Sequence, residues 1–323
     1  MVNLLFIIVG LVGLWIGTEL IIRGATRLAR HYGLSETVFG LTVLAVGSDL
    51  PELVVAINAA AHTLRGVDQS GIVMGTAIGS LMGQFGLVMG TAGLIGYLTM
   101  PERYIIRHGT VLIGATLLLI LASLDGHVGR IEGAGLLVLY VIYLIALLLR
   151  EEKAGNGHAK QDEPVLRSWV VLAAGFVLLI GNAELTVTAV TALAERFRID
   201  DIVIAVVILG AGSSLPELSL SVSALLKKKG SLSVGNLVGS NVLDTLLVPG
   251  LAAIIAPLTV LSDTLVFDFP LLFVLTVLVF VFFWRRKGLQ RNEAMVLLGF
   301  YLGYILLRAS EQGLNVLNGW FGA

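Results

Sequence analysis

The 323-residue chain is 57% hydrophobic and 13% charged, carries a formal net charge of −1 and contains no cysteine. Soluble domains carry about 25% charged residues, so a water-soluble enzyme is excluded, and a chain without net positive charge implies no nucleic-acid partner. The missing cysteines rule out disulfides and thiolate metal sites.

In chain order, apolar runs fall near 3–22, 36–62, 70–98, 104–123, 130–150, 167–190, 199–227, 231–257, 265–284 and 292–308. Each is long enough to cross a hydrocarbon core roughly 30 Å thick. The runs are continuous rather than alternating, which excludes a barrel and predicts an all-α polytopic membrane protein with ten transmembrane helices. The first run has no basic residue before it and the first one, Arg23, lies after it, which is not the pattern expected of a secretory signal. Glu19 in that run precedes Arg23 by four residues, which predicts an ordinary ion pair near the interface. The second, third, seventh and eighth runs are long and carry glycine or proline in their middles, the signature of kinked or broken helices. Only "EEKAGNGHAKQDEP" at 151–164 is clearly soluble. It divides the chain into a first unit at 1–150, a linker at 151–166 and a second unit at 167–323.

The two units repeat each other. "GSDLPEL" from Gly47 and "GSSLPEL" from Gly212 are 165 residues apart, and the same offset carries "GTEL" onto "NAEL", hence Glu19 onto Glu184. "GTAIGS" from Gly75 meets "GNLVGS" from Gly235 at an offset of 160. Five helices per unit is an odd number, so the second copy is expected to cross the membrane inverted, a recurrent transporter design. Of the 21 Lys and Arg, 16 fall on one side of this ten-helix scheme and five on the other. The positive-inside rule then places the linker in the cytoplasm, both termini outside it, and the protein in the cell membrane. The "KKK" at Lys227 to Lys229 reads as a cytoplasmic anchor, and Trp169 and Trp284 as interfacial ones.

Asp49, Glu52, Glu217 and Asp244 all lie in apolar runs. A charge at mid-bilayer costs at least about 2.5–3.5 kcal/mol, so four cost on the order of 10 kcal/mol unless something offsets them. No Lys or Arg occupies the central turns, and bound cations are the economical counter-charge. Oxygen-only ligands select hard ions such as Ca²⁺, Na⁺ or Mg²⁺. Ser48 and Glu52, Ser213 and Glu217, and Ser240 and Asp244 are each spaced i, i+4 and share a helix face. Pro51 and Pro216 lack an N–H, which frees the carbonyls of Gly47 and Gly212 as further oxygen ligands.

The paired "GSDLPEL…GTAIGSLMGQ" and "GSSLPEL…GNLVGSNVLD" resemble the two α-repeats of the calcium/cation antiporter superfamily, most of all its prokaryotic sodium/calcium exchangers. The resemblance covers both units in order. It implies a secondary transporter exchanging Ca²⁺ for Na⁺ by alternating access, with no cofactor and no protein partner, working on inorganic cations in a lipid bilayer. It implies that Glu52 and Glu217 are the central ion-binding pair, with Ser48, Ser213, Ser214, Ser80 and Ser240 as hydroxyl ligands and Asp244 as a further acid. Three residues of the first repeat depart from the family pattern. Asp49 stands where a small hydroxyl residue is usual, Leu81 replaces the asparagine of "GSN", and Gln84 stands opposite Asp244. These departures leave H⁺-coupled Ca²⁺ or Mg²⁺ antiport as an alternative, and a cation channel or a non-transporting scaffold as readings from another class.

Plainer roles compete residue by residue. Serines at helix interfaces often serve packing or bond back to a carbonyl. Gln84 suits interhelical hydrogen bonding as well as ligation, and Asp49 suits a hydrated vestibule as well as a cage. Glu184 has only Thr188 at the i+4 position and is less easily dismissed than Glu19.

Overall fold

The computed structural model describes residues 2–149, 164–196 and 214–321. Apart from two short ribbons, they are helical. α1 (Val2–Tyr32) is followed by α2 (Glu36–Ser48), α3 (Leu50–Leu64), α4 (Ser70–Ile95), α5 (Glu102–Ala122) and α6 (Arg130–Leu149). After the linker come α7 (Val165–Arg196), α8 (Leu215–Leu226), α9 (Gly230–Ile255), α10 (Thr264–Arg286) and α11 (Arg291–Phe321). Seven described helices are long and apolar enough to cross a membrane, or eight if the bent α2–α3 pair is one span. The predicted run at 199–227 is described only from Ser214 onward. α1, α7 and α11 extend beyond their apolar runs, α1 through Arg23, Arg27 and Arg30.

α4 and α9 are central, each with 72% of its apolar span buried, against about a third for the outer helices. Glycine lets α2 approach α9 closely. A β-carbon on Gly40 would lie 2.6 Å from Leu232 O, and one on Gly239 would lie 2.5 Å from Leu41 O, so α2 and α9 meet backbone to backbone. α1 and α7 form a separate antiparallel pair in which Gly10 faces Thr186, Gly17 faces Leu179 and Gly24 faces Leu172. Their outer faces display Leu5, Ile8, Trp15, Val170 and Val177, an apolar exterior suited to lipid.

The second run breaks as its proline requires. Asp49 leaves the helix at φ −91° and ψ 9°, α3 starts at the next residue with Pro51 in its first turn, and the axis bends by 48°. Ser214 repeats this conformation before α8, at φ −91° and ψ 6°. The third run stays continuous but widens to i+5 hydrogen bonding over Gly83–Val88, a local bulge that re-aims side chains. In the turn before α4, Ser70 N and Oγ donate to Asp68 Oδ1 at 2.9 and 2.6 Å and hold that carboxyl below its usual range.

β1 (Leu98–Thr99) pairs antiparallel with β4 (Gly288–Leu289), and β2 (His127–Val128) with β3 (Leu258–Thr259). Each ribbon joins one strand from each unit. The first ribbon gathers the loops that the basic-residue count puts on one side: Lys287 pairs with Glu102 at 2.9 Å, and Tyr97 Oη donates to Arg286 O at 2.6 Å.

Candidate functional site

The two helix breaks set the site. Glu52 and Glu217 each fall on the third residue of the helix that starts after a break. Carboxylates there sit at the positive end of a helix dipole, beside backbone N–H groups with no helical acceptor. Both are almost fully buried, 5% and 1% exposed. Asp49, at the first break, is fully buried and faces Glu217, Glu52 and Ser240. Asp244, one turn beyond Ser240 on α9, has Asp49 and Glu52 as its acidic neighbours. The four acids thus form one cluster between α3, α8 and α9, and no described Lys or Arg forms a salt bridge with any of them.

Gln84 joins the halves of this cluster. From the widened turn of α4 its Nε2 donates to Ser80 Oγ at 2.9 Å and to Asp244 Oδ2 at 3.1 Å, while its Oε1 accepts from Asn241 Nδ2 at 2.8 Å. Its interhelical bonding is therefore realised. Ser48 Oγ lies 3.3 Å from Ala45 O and 3.2 Å from Asp49 Oδ1, so its hydroxyl is anchored at the break. Ser214 Oγ points at α4, 2.4 Å from where a β-carbon on Gly83 would stand. Ser80 and Ser240 are buried beside Asp244 and Asp49 respectively. Gly47 is pressed against the Phe176 ring of α7, 2.2 Å from its β-carbon position, so this glycine admits a neighbouring helix at the break. Ser213 and Gly212 lie outside the described residues.

Thirteen buried side-chain nitrogen and oxygen atoms among the described residues lack a hydrogen-bond partner, and twelve of them are on α8, α9 and the broken α2–α3 pair or at their breaks. They include Asp49 Oδ2, Glu52 Oε2, both Glu217 oxygens, Ser240 Oγ and Asp244 Oδ1. Unsatisfied polar atoms at this density are foreign to an ordinary core and point to a site built for ions or water. No three acidic or histidine side chains among the described residues converge tightly enough to grip a metal by themselves. Hydroxyls and amides fill the space between the acids instead. Asn236, a full turn before Ser240, is buried with both amide atoms unpartnered. The internal repeat does not single it out, because Thr76 holds the matching position; its polarity inside an apolar run is the signal that marks it.

An all-helical membrane fold whose broken helices aim buried acids and hydroxyls at one point is that of a cation-handling membrane protein. A family profile described as sodium/calcium exchanger protein matches residues 2–149 and again residues 167–309. The chain belongs to that family, whose members are transporters and not enzymes. A putative antiporter CaxA of Alkalimonas amylolytica is 30% identical over 96% of this chain and 100% of its own length. The sodium/calcium exchanger MaX1 of Methanosarcina acetivorans is 26% identical over 95% and 98% of the two chains. A solved structure of the sodium–calcium exchanger NCX_Mj superposes with a TM-score of 0.81 at 27% identity, covering 95% of this chain and 98% of that one.

Proposed function

We infer that the protein exchanges Na⁺ for Ca²⁺ across the cell membrane through this cluster. The observation that carries the reading is a set of four buried, unneutralised acids, three at two repeat-related helix breaks and the fourth, Asp244, on α9 beside them, in a chain of the exchanger family. Asp49, Glu52, Glu217 and Asp244 supply negative oxygens, and Ser48, Ser80, Ser213, Ser214, Ser240 and the freed carbonyls of Gly47 and Gly212 supply neutral ones. Gln84 holds Asp244 in register. Ca²⁺ takes six to eight oxygens at about 2.3–2.6 Å, and a mixed set of carboxylate, hydroxyl and carbonyl serves it and Na⁺ alternately. Occupation by one ion excludes the other, because both require the same charge.

The architecture proposed is ten helices in two inverted five-helix units, 1–150 and 167–323, with the 151–166 linker cytoplasmic and both termini outside. The double match of one family profile, the equal backbone angles at Asp49 and Ser214, and ribbons that each join one strand from either unit support it. The separate α1–α7 pair is the element suited to slide past the central helices during alternating access.

The test is flux. Proteoliposomes loaded with Na⁺ and diluted into Na⁺-free buffer are expected to accumulate Ca²⁺, and to stop when external Na⁺ matches internal Na⁺. A Glu217→Gln variant is expected to lose uptake. Uptake driven instead by a pH gradient, or seen only with Mg²⁺, assigns Asp49 and Gln84 a different ion specificity. Current down a single ion's gradient marks a channel, and no flux of any kind marks a scaffold.

A further inference from the structure

Two repeat-related glutamates stand in opposite situations. Glu19 and Glu184 are 165 residues apart, the offset that aligns the two proline–glutamate motifs. Glu19 is clamped. Its carboxylate accepts Arg23 Nε at 2.6 Å and pairs with the ammonium of Lys227, just past the end of α8. One residue earlier, Thr18 Oγ1 lies 3.1 Å from Ser223 Oγ on the same helix. α1 is thereby fastened to α8, the helix that carries Glu217.

Glu184 is open. It is exposed and lines a cavity of about 260 Å³ whose walls include Pro51, Glu52, Val55, Thr76 and Pro216. Glu52 in that wall is 5% exposed, and its Oε2 has no partner. α1 and α7 run antiparallel with Gly17 against Leu179 and Gly24 against Leu172. Glu184 therefore lies about seven residues, or roughly 10 Å, further from the Lys227 end than Glu19 does. The repeat position of Lys227 is His62, at the end of α3. An imidazole thus replaces the ammonium where Glu184 would find its own clamp.

We propose that Glu19 and Glu184 are alternating gate carboxylates. In the state described, Glu184 gathers cations toward Glu52 through the open cavity, while Glu19, neutralised by Lys227, shuts the route to Glu217. In the opposite state the units exchange conformations: α1 leaves α8, Glu19 faces the opened path, and α7 closes on the His62 end of α3. An unpaired carboxylate at an opening raises the local cation concentration, and one bound to lysine does not. The inference rests on the inverted-repeat exchange reading above.

The absence of cysteine makes the test clean. In a Thr76→Cys background the cavity thiol is expected to react with a membrane-impermeant maleimide, and Ca²⁺ to protect it. Adding Lys227→Gln should unfasten α1, populate the opposite state and slow labelling several-fold, with Lys227→Arg restoring the rate. Adding Glu184→Gln should raise the half-protecting Ca²⁺ concentration about three- to tenfold, less at high ionic strength. A labelling rate indifferent to Lys227→Gln overturns the clamp, and unchanged protection in Glu184→Gln overturns the gathering role. Flux in the Thr76→Cys parent separates this inference from the exchange reading. A parent that neither exchanges Na⁺ for Ca²⁺ nor is protected by either ion removes that reading, whereas the labelling response to Lys227 stands or falls without transport.

Discussion

Asp49 gives the first repeat a carboxylate where the second has a hydroxyl, Ser214. Because Ca²⁺ affinity follows the number of charged ligands, Asp49→Ser should weaken Ca²⁺ binding by roughly tenfold or more, read by calorimetric titration of the purified protein. Gln84 has a different kind of importance. Gln84→Leu strips partners from Ser80, Asp244 and Asn241 at once, at about 1–3 kcal/mol for each buried group left unpaired. The melting temperature in detergent should fall even without ions. Most of the site was legible in the sequence, because an acid or a proline inside an apolar run is costly in a membrane and marks a place where the chain needs it. The link between Gln84 and Asn241 was not, since it spans 157 residues and local spacing says nothing about which helices will meet. The pair Glu19–Arg23 was legible from spacing alone, whereas Lys227, 208 residues away, was not.

Among the elements, the broken α2–α3 pair does most to make the site. Pro51→Ala returns an N–H opposite the Gly47 carbonyl, which should reduce the 48° bend and draw Glu52 off the cluster. Exchange is expected to fall while the protein remains folded, so flux and melting temperature measured together check the claim. Gly239 does the converse: a valine there meets Leu41 O and the Ala45 side chain, so Gly239→Val should lower stability by about 1–3 kcal/mol or abolish the folded peak on size-exclusion chromatography. Proline and glycine in the long runs predicted kinks or breaks; the break at Asp49 is where the proline put it, whereas α9 is one continuous helix with Pro249 inside it. In the third run the mid-run glycines gave a weaker signal: α4 stays continuous and only widens over Gly83–Val88, which contains Gly83 and Gly86.

The whole molecule is a central group of helices flanked by the α1–α7 pair. If α1 must part from α8 in each cycle, a Thr18→Cys/Ser223→Cys bridge should arrest exchange, and a reductant should restore it; full exchange in the oxidised protein would show that α1 stays put. The two ribbons have a consequence for synthesis. Leu98–Thr99 and His127–Val128 emerge from the ribosome well before their partners Gly288–Leu289 and Leu258–Thr259. The first unit must therefore wait in the bilayer with β2 unmatched until Leu258–Thr259 has been made and β1 unmatched until Gly288–Leu289 has, so its two ribbons close one after the other as the second unit is inserted.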